Sequence, residues 1–193
     1  MKTIVLASNN KHKLKEFKKI LKNYKILTLN DIGYTDDIEE NGKTFEENAK
    51  IKAKAVQEFL KKNNLDYPVI SDDSGLCVDS LNGAPGVYSA RYAGEHGNDQ
   101  ENRNKLIKEL TGKNNNAYFI CVIALYYPNN EYKTFEGKTY GKIIDEEIGS
   151  KEFGYDCIFY SNDLNKTFGE ASEEEKNSIS HRSRAIQKLL EVL

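Results

Sequence analysis

A chain of 193 residues carrying 28 basic and 30 acidic side chains has a formal charge of −2, which excludes a whole-molecule field favouring nucleic acid or an anionic membrane. The length suits one domain with a sizeable buried core. Cys77, Cys121 and Cys157 form no CxxC pair and each lies in or beside an apolar stretch, the pattern of reduced, buried thiols in a cytoplasmic protein. The opening MKTIVLAS is too short an apolar run for a signal peptide, and no later run approaches a membrane span.

In chain order, TIVLA (3–7) predicts a strand. SNNKHK then breaks the pattern before Leu14, Phe17, Ile20 and Leu21 recur at helical spacing. TFEE announces a second helix, with Thr44 and Glu47 as a capping box and Phe45, Ala49, Ala53, Val56 and Leu60 as its apolar stripe. YPVIS (67–71) reads as another strand, and Asn98 or Asp99 caps a helix carrying Leu106, Ile107 and Leu110. AYFICVIALYY (117–127), a turn at PNN and EYKTFEGKTYGKII predict an antiparallel hairpin. The last stretch supplies one helix with Ala185, Ile186, Leu189 and Val192 inward. Strand–helix units around a hairpin predict an α/β fold with a mixed, twisted sheet and flanking helices, polar groups gathering at strand ends.

Four clusters carry chemistry. The polar loop SNNKHK (8–13) feeds a helix N-terminus, where backbone amides, the helix dipole and Lys11 or Lys13 suit a phosphate. It lacks the P-loop pattern, and taken alone the stretch is better explained as a simple Asn or Ser cap with solvated lysines. Glu39 and Glu40 precede a glycine and a capped helix, where acidic residues commonly serve as dipole partners. Asp72 and Asp73 follow the apolar run, on what reads as a Ser-Gly turn at the end of a strand. Two adjacent like charges there need water, donors or a cation. With Glu39 they can hold a hard cation such as magnesium, which takes few carboxylates and keeps waters and substrate phosphates. Finally, EFGYDCIF (152–159) sets Phe153 and Tyr155 around a glycine beside Asp156, and EEKNSISHR brings Lys176, His181 and Arg182. Aromatic faces stack a base and polar groups read its edge, although single aromatics most often belong to the core and His181 and Arg182 also suit a helix surface.

The joint order of LASNNKHKLKE, ENGKTFEENAKIKA, ISDDSGLCVDSLNGAPGVYSARYAG, FGYD and EEKNSISHRSRA resembles the inosine triphosphate pyrophosphatase family, also called dITP/XTP pyrophosphatases, over nearly the whole chain. The resemblance implies a phosphate-binding loop at Ser8, Asn9, Asn10, Lys11, His12 and Lys13, metal ligands for Mg2+ at Glu39 and Asp73, and substrate contact by Ser74. It makes Asp73 the general base, Phe153, Gly154, Tyr155 and Asp156 the base-contacting segment, Lys176 a further substrate contact, and His181 with Arg182 the pair at the far side of the base. It further implies an elongated, two-lobed single domain over residues 1–193 with a central cleft, a homodimer, and a purine nucleoside triphosphate as substrate, with no nucleic-acid or membrane partner. The reaction implied is hydrolysis of ITP, dITP and XTP to monophosphate and pyrophosphate. Departures from the family pattern are Asn9, Ser71 and Cys157. A non-catalytic nucleotide sensor and a Maf-type pyrophosphatase of other base preference are the alternatives. RNA binding through the lysine-rich first helix ranks below both, for want of interleaved aromatics.

Overall fold

A computed structural model describes residues 2–193. The order is β1 (Lys2–Leu6), α1 (Lys11–Ile20), β2 (Tyr24–Leu27), α2 (Phe45–Lys62), β3 (Val69–Val78), α3 (Asp99–Leu110), β4 (Asn116–Tyr126), β5 (Tyr132–Ile143), β6 (Phe159–Ser161), β7 (Lys166–Thr167), α4 (Glu173–Ile179) and α5 (His181–Leu190). The strands form one seven-stranded sheet, ordered β2-β1-β3-β4-β5-β6-β7. β1 pairs parallel with β2 and β3, whereas β6 pairs antiparallel with β5 and β7, so the sheet is mixed as its strand–helix and hairpin segments predict. Among the described residues no helix is long and apolar enough to cross a membrane.

Contacts group the chain into two compact units, the first comprising the chain up to Asp73, Cys121–Glu136 and Ser183–Leu193, and the second Ser74–Ile120 and Gly137–Arg182. In the first unit, strand alternation sorts the side chains onto two faces. Ile4 and Leu6 of β1, Ile70 of β3 and Cys121, Ile123 and Leu125 of β4 pack with Phe17 and Leu21 near α1 and Ala185, Ile186 and Leu189 of α5. Val5, Val69, Ala124 and Tyr126 pack instead with Ala49, Ala53, Val56 and Leu60, the apolar stripe of α2. In the second unit Leu106 and Leu110 of α3 join Leu76, Val78, Phe119, Ile143, Tyr155, Phe159 and Phe168 in one core. All three cysteines are free and buried.

Three local expectations are corrected. Thr44 Oγ1 accepts from Glu47 N at 3.1 Å, but Glu47 Oε2 returns its bond to Lys43 N at 2.6 Å, one residue before the cap, so the reciprocal box is displaced. The true capping box is at Ser172 and Glu175, at the start of α4. The C-terminal helix is two helices, because Ser180 is extended (φ −64°, ψ 153°) and ends α4 before α5 begins; Val192 lies beyond α5 and is exposed.

Candidate active site

β3 answers the question of the paired aspartates. The strand runs through Asp72, Asp73, Ser74 and Gly75 without a break, so there is no Ser-Gly turn at this point. Successive residues of a strand point to opposite faces, and the two carboxylates therefore leave β3 on opposite sides, although the Lys13 charge still acts on both. Asp72 lies on the α1 side with Ile70, and its carboxylate, fully buried, meets Lys13 Nζ at 3.0 Å. The Lys13 ammonium is also 3.3 Å from the Asp72 carbonyl oxygen, and the Cys121 thiol donates to Asp72 Oδ2 at 3.8 Å. Asp73 lies on the α2 side, where Asn48 Nδ2 donates to Oδ2 at 3.0 Å and Lys52 Nζ stands 3.9 Å from Oδ1.

Lys52 bridges outward. Its ammonium is 2.7 Å from Glu40 Oε2, so one cation sits between Glu40 and Asp73. Glu39 is exposed, and of the neighbouring glutamates it is Glu40 that the structure brings towards Asp73. Burial pushes the Asp73 carboxyl above its ordinary value, opposed by Lys52, Lys13 and the Asn48 amide and assisted by Glu40. Sequence reading missed Asn48 and Lys52. The two are four apart beside the α2 apolar stripe, a spacing the sequence shows, but that both are buried is known only from the fold.

The loop before α1 is a well-made cap. Asn10 Oδ1 accepts from His12 N at 2.9 Å and Lys13 N at 3.1 Å, and Ser8 Oγ accepts from Asn10 N at 3.2 Å. Asn9, Lys11 and His12 are exposed. With Lys13 turned in to Asp72, the loop presents Lys11 as its outward ammonium.

The late cluster lies in the second unit. Tyr155 is buried in its core and donates to Ser89 O at 2.8 Å, and burial pushes its phenol well up. Its ring is core, which leaves Phe153, half-buried, as the accessible aromatic. Lys176 of α4 ion-pairs with Asp156 and stands 5.2 Å from the Phe153 ring centroid. His181 stacks on Phe119 (5.0 Å, 16°), and Arg182 Nη2 donates to Ser74 Oγ at 2.9 Å. Both are buried, at 6% and 2% exposure, and so are not surface residues of α5.

Gly154, at φ +52°, is held on both sides from α3. Asp99 Oδ2 accepts from its N–H at 2.8 Å, and Arg103 Nη1 donates to its carbonyl at 2.7 Å. Arg103 in turn donates through Nε to Glu147 Oε1 at 2.8 Å. Arg103 and Glu147 carried no sequence motif, and Asp99 was marked only as a candidate helix cap.

The Glu147 carboxyl is held down at about 2, against 4.5 ordinarily, by Lys151, Arg103 and Gln100. Because the folded value is depressed, its stabilisation is complete above the unfolded value and is lost as pH falls through the folded one. Allowing for solvent screening, Glu147→Gln should cost about 1–2 kcal/mol at pH 7. The gap from wild type should narrow steadily as pH falls from 4.5 towards 2. Urea unfolding across that range measures it.

The first unit sets the Asp72 and Asp73 carboxylates of β3 beside ammonium groups of α1 and α2, a donor set that suits phosphate and a cation, and the second unit carries a separate aromatic–aspartate–lysine cluster. A sequence profile of the Ham1 family matches residues 4–192, and the chain belongs to that family. It is 52% identical to a dITP/XTP pyrophosphatase of Clostridium perfringens, covering 98% of this chain and 96% of the relative. It is 48% identical to the dITP/XTP pyrophosphatase of Bacillus subtilis, covering 100% and 98%. Among solved structures it is similar to the Staphylococcus aureus Ham1 protein, with TM-score 0.87 and 45% identity over 97% of this chain and 96% of that one. It is also similar to the nucleoside-triphosphatase and dITP/XTP pyrophosphatase of Mycobacterium abscessus, with TM-score 0.78 and 38% identity over 97% and 98%.

Proposed function

We propose that the protein hydrolyses the non-canonical purine nucleoside triphosphates ITP, dITP and XTP to the monophosphate and pyrophosphate. The observation that carries this reading is the Asp73 carboxylate, buried beside Lys52 and Asn48 and set one residue from the Lys13–Asp72 pair. Near-full-length relatives named dITP/XTP pyrophosphatases support the substrate class.

Asp73 accepts the proton of the attacking water, for which a buried carboxyl with a raised affinity for protons is suited. Water adds to the α-phosphorus, the α–β bridging P–O bond breaks, and pyrophosphate leaves with the bond's electron pair. Lys52 and Lys13 hold the negative charge that develops on phosphoryl oxygens, and Lys11 of the Ser8–Lys13 loop meets the outer phosphates. Glu40 and Asp73 fit a divalent cation, because the Lys52 ammonium already stands between them as a monovalent stand-in. Held there by Glu40 and Asp73, Mg2+ would supply neutralisation of phosphate charge. We assign the second ligand to Glu40 in place of Glu39 on this geometry. Ser74 and Arg182 orient the substrate, Phe153 stacks the base, and Asp156, Lys176 and His181 line the base-contacting side. The three buried free thiols support a cytoplasmic setting. The homodimer rests on the family resemblance, and light scattering tests it.

A panel of nucleoside triphosphates with magnesium, read by pyrophosphate release, tests the reaction. ITP and XTP should exceed ATP in kcat/KM by about 10² or more, because adenine presents a donor amine where the six-oxo purines present an acceptor. GTP should fall between. Equal efficiency on ATP and ITP, or release of orthophosphate, would overturn the reading.

Lys13→Ala should raise KM or lower kcat by a similar factor for every base, since a phosphate contact carries no base information. It should also cost about 3 kcal/mol or more of stability by removing the cation from the buried Asp72 carboxylate. The same panel and urea unfolding read both effects, and a base-selective loss would mean that the loop reads more than phosphate.

A further inference from the structure

The geometry points to Arg103 as a positioning residue that sets base discrimination by clamping the crest of the Phe153–Asp156 segment from α3. The inference rests on the pyrophosphatase reading above and extends it to a residue outside the base-contacting motif. Arg103 is only 3% exposed, and its three donor positions go to three different places: Nη1 to Gly154 O at 2.7 Å, Nε to Glu147 Oε1 at 2.8 Å and Nη2 to Gln100 Oε1 at 3.0 Å. A planar guanidinium with three fixed directions defines where the Gly154 carbonyl must lie, which a flexible ammonium does not. Asp99, four residues earlier on the same helix, fixes the N–H of the same glycine at 2.8 Å. Both polar groups of Gly154 are thus referred to one rigid element. Its conformation, at φ +52°, is one that the backbone does not otherwise prefer for most residues.

What the clamp aims lies on either side of Gly154. Phe153 precedes Gly154 and offers the accessible ring, while Tyr155, anchored on Ser89 O, and Asp156, paired with Lys176, follow it. A shift of the Gly154 crest moves the Phe153 ring against Asp156. It leaves untouched the Asp73, Lys52 and Lys13 groups that act on phosphate, none of which belongs to this segment. Arg103 therefore acts on which base is accepted and not on the bond-breaking step.

The test compares wild type, Arg103→Gln, Arg103→Lys and Glu147→Gln on ITP, GTP and ATP with magnesium. Arg103→Gln should raise KM for ITP by roughly tenfold or more with kcat changed less than threefold, and should shrink the ITP-to-GTP ratio of kcat/KM by a comparable factor. Arg103→Lys, which keeps the charge and loses the fixed directions, should restore stability without restoring the ratio. Glu147→Gln, which keeps Arg103 and loosens its hold, should move the ratio in the same direction by a smaller factor, and decides the matter if Arg103→Gln does not fold. Hydrogen exchange of the 152–156 amides gives a readout independent of turnover. It should speed up in Arg103→Gln while β4 amides keep their protection. An unchanged ratio with a uniform loss on all three nucleotides, or unchanged exchange across 152–156, overturns the inference. If wild type itself releases no pyrophosphate, the pyrophosphatase reading fails, and the discrimination role falls with it, whereas the exchange data still decide the clamp.

Discussion

Asp73→Asn is expected to lower kcat by about 10³-fold or more while leaving the urea midpoint nearly unchanged, since a positioned general base contributes roughly 10²–10⁴-fold and the same carboxylate is assigned a share in holding the cation. The amide is nearly isosteric and still accepts from Asn48, whose Nδ2 lies 3.0 Å from Asp73 Oδ2. What it cannot do is take a proton from water at neutral pH. Asp72→Asn is the discriminating control, because Asp72 faces α1 and Lys13 on the other side of the strand. It should cost stability, through the weakened Lys13 pair, and should reduce turnover much less than Asp73→Asn does. Near wild-type turnover of Asp73→Asn at saturating magnesium would remove Asp73 from the role of base.

Lys52→Met should be the second large effect, and a double one. The substitution keeps the apolar stem that packs along α2 and removes the ammonium held between Glu40 and Asp73. Without it the two carboxylates face one another with less compensation, so in metal-free buffer stability should fall by about 1–3 kcal/mol, less than for a fully buried pair because Glu40 is 36% exposed. Magnesium should recover a good part of that loss, since a divalent cation takes over the neutralisation. Turnover should nevertheless fall about 10²-fold or more on every nucleotide, because a donor to the developing phosphoryl charge is gone. Thermal unfolding with and without magnesium, beside the nucleotide panel, separates the two parts. A Lys52→Met protein whose stability is indifferent to magnesium would contradict placing the cation at Glu40 and Asp73.

Much of the scaffold was legible because it rests on local periodicity. The α2 stripe of Ala49, Ala53, Val56 and Leu60 and the Asn98 cap of α3 follow from spacing and capping chemistry alone. The sequence misled where polar residues stand inside regular structure. Asp72, Asp73, Ser74 and Gly75 look like a turn by composition, yet β3 carries them as strand, with Asp72, Asp73 and Ser74 met by the helix residues Lys13, Asn48 and Arg182. Tertiary partners overrode propensity there. Asn48, Lys52 and Arg103 stayed invisible for a related reason: on a helix a polar residue beside the apolar stripe reads as solvated surface until the element it packs against is known. The short strands β6 and β7 were missed because three and two residues cannot show a period.

The division of the two aspartates between helices turns chain length in β3 into a matter of parity. Substitutions along Val69–Asp73 alter one side of the sheet at a time, but insertion or deletion of a single residue before Asp72 would exchange what α1 and α2 each receive. Lys13 would then confront the residue meant for Asn48 and Lys52, and Ile70 would trade places with Val69 in their respective cores. A two-residue insertion restores the faces but displaces the carboxylates by about 7 Å along the strand, out of reach of both lysines. Single-residue indels in this segment should therefore be the least tolerated of all length changes in the chain, and engineering that needs extra residues belongs in the PNN turn between β4 and β5, where Tyr127 and Glu131 already close a loop on themselves.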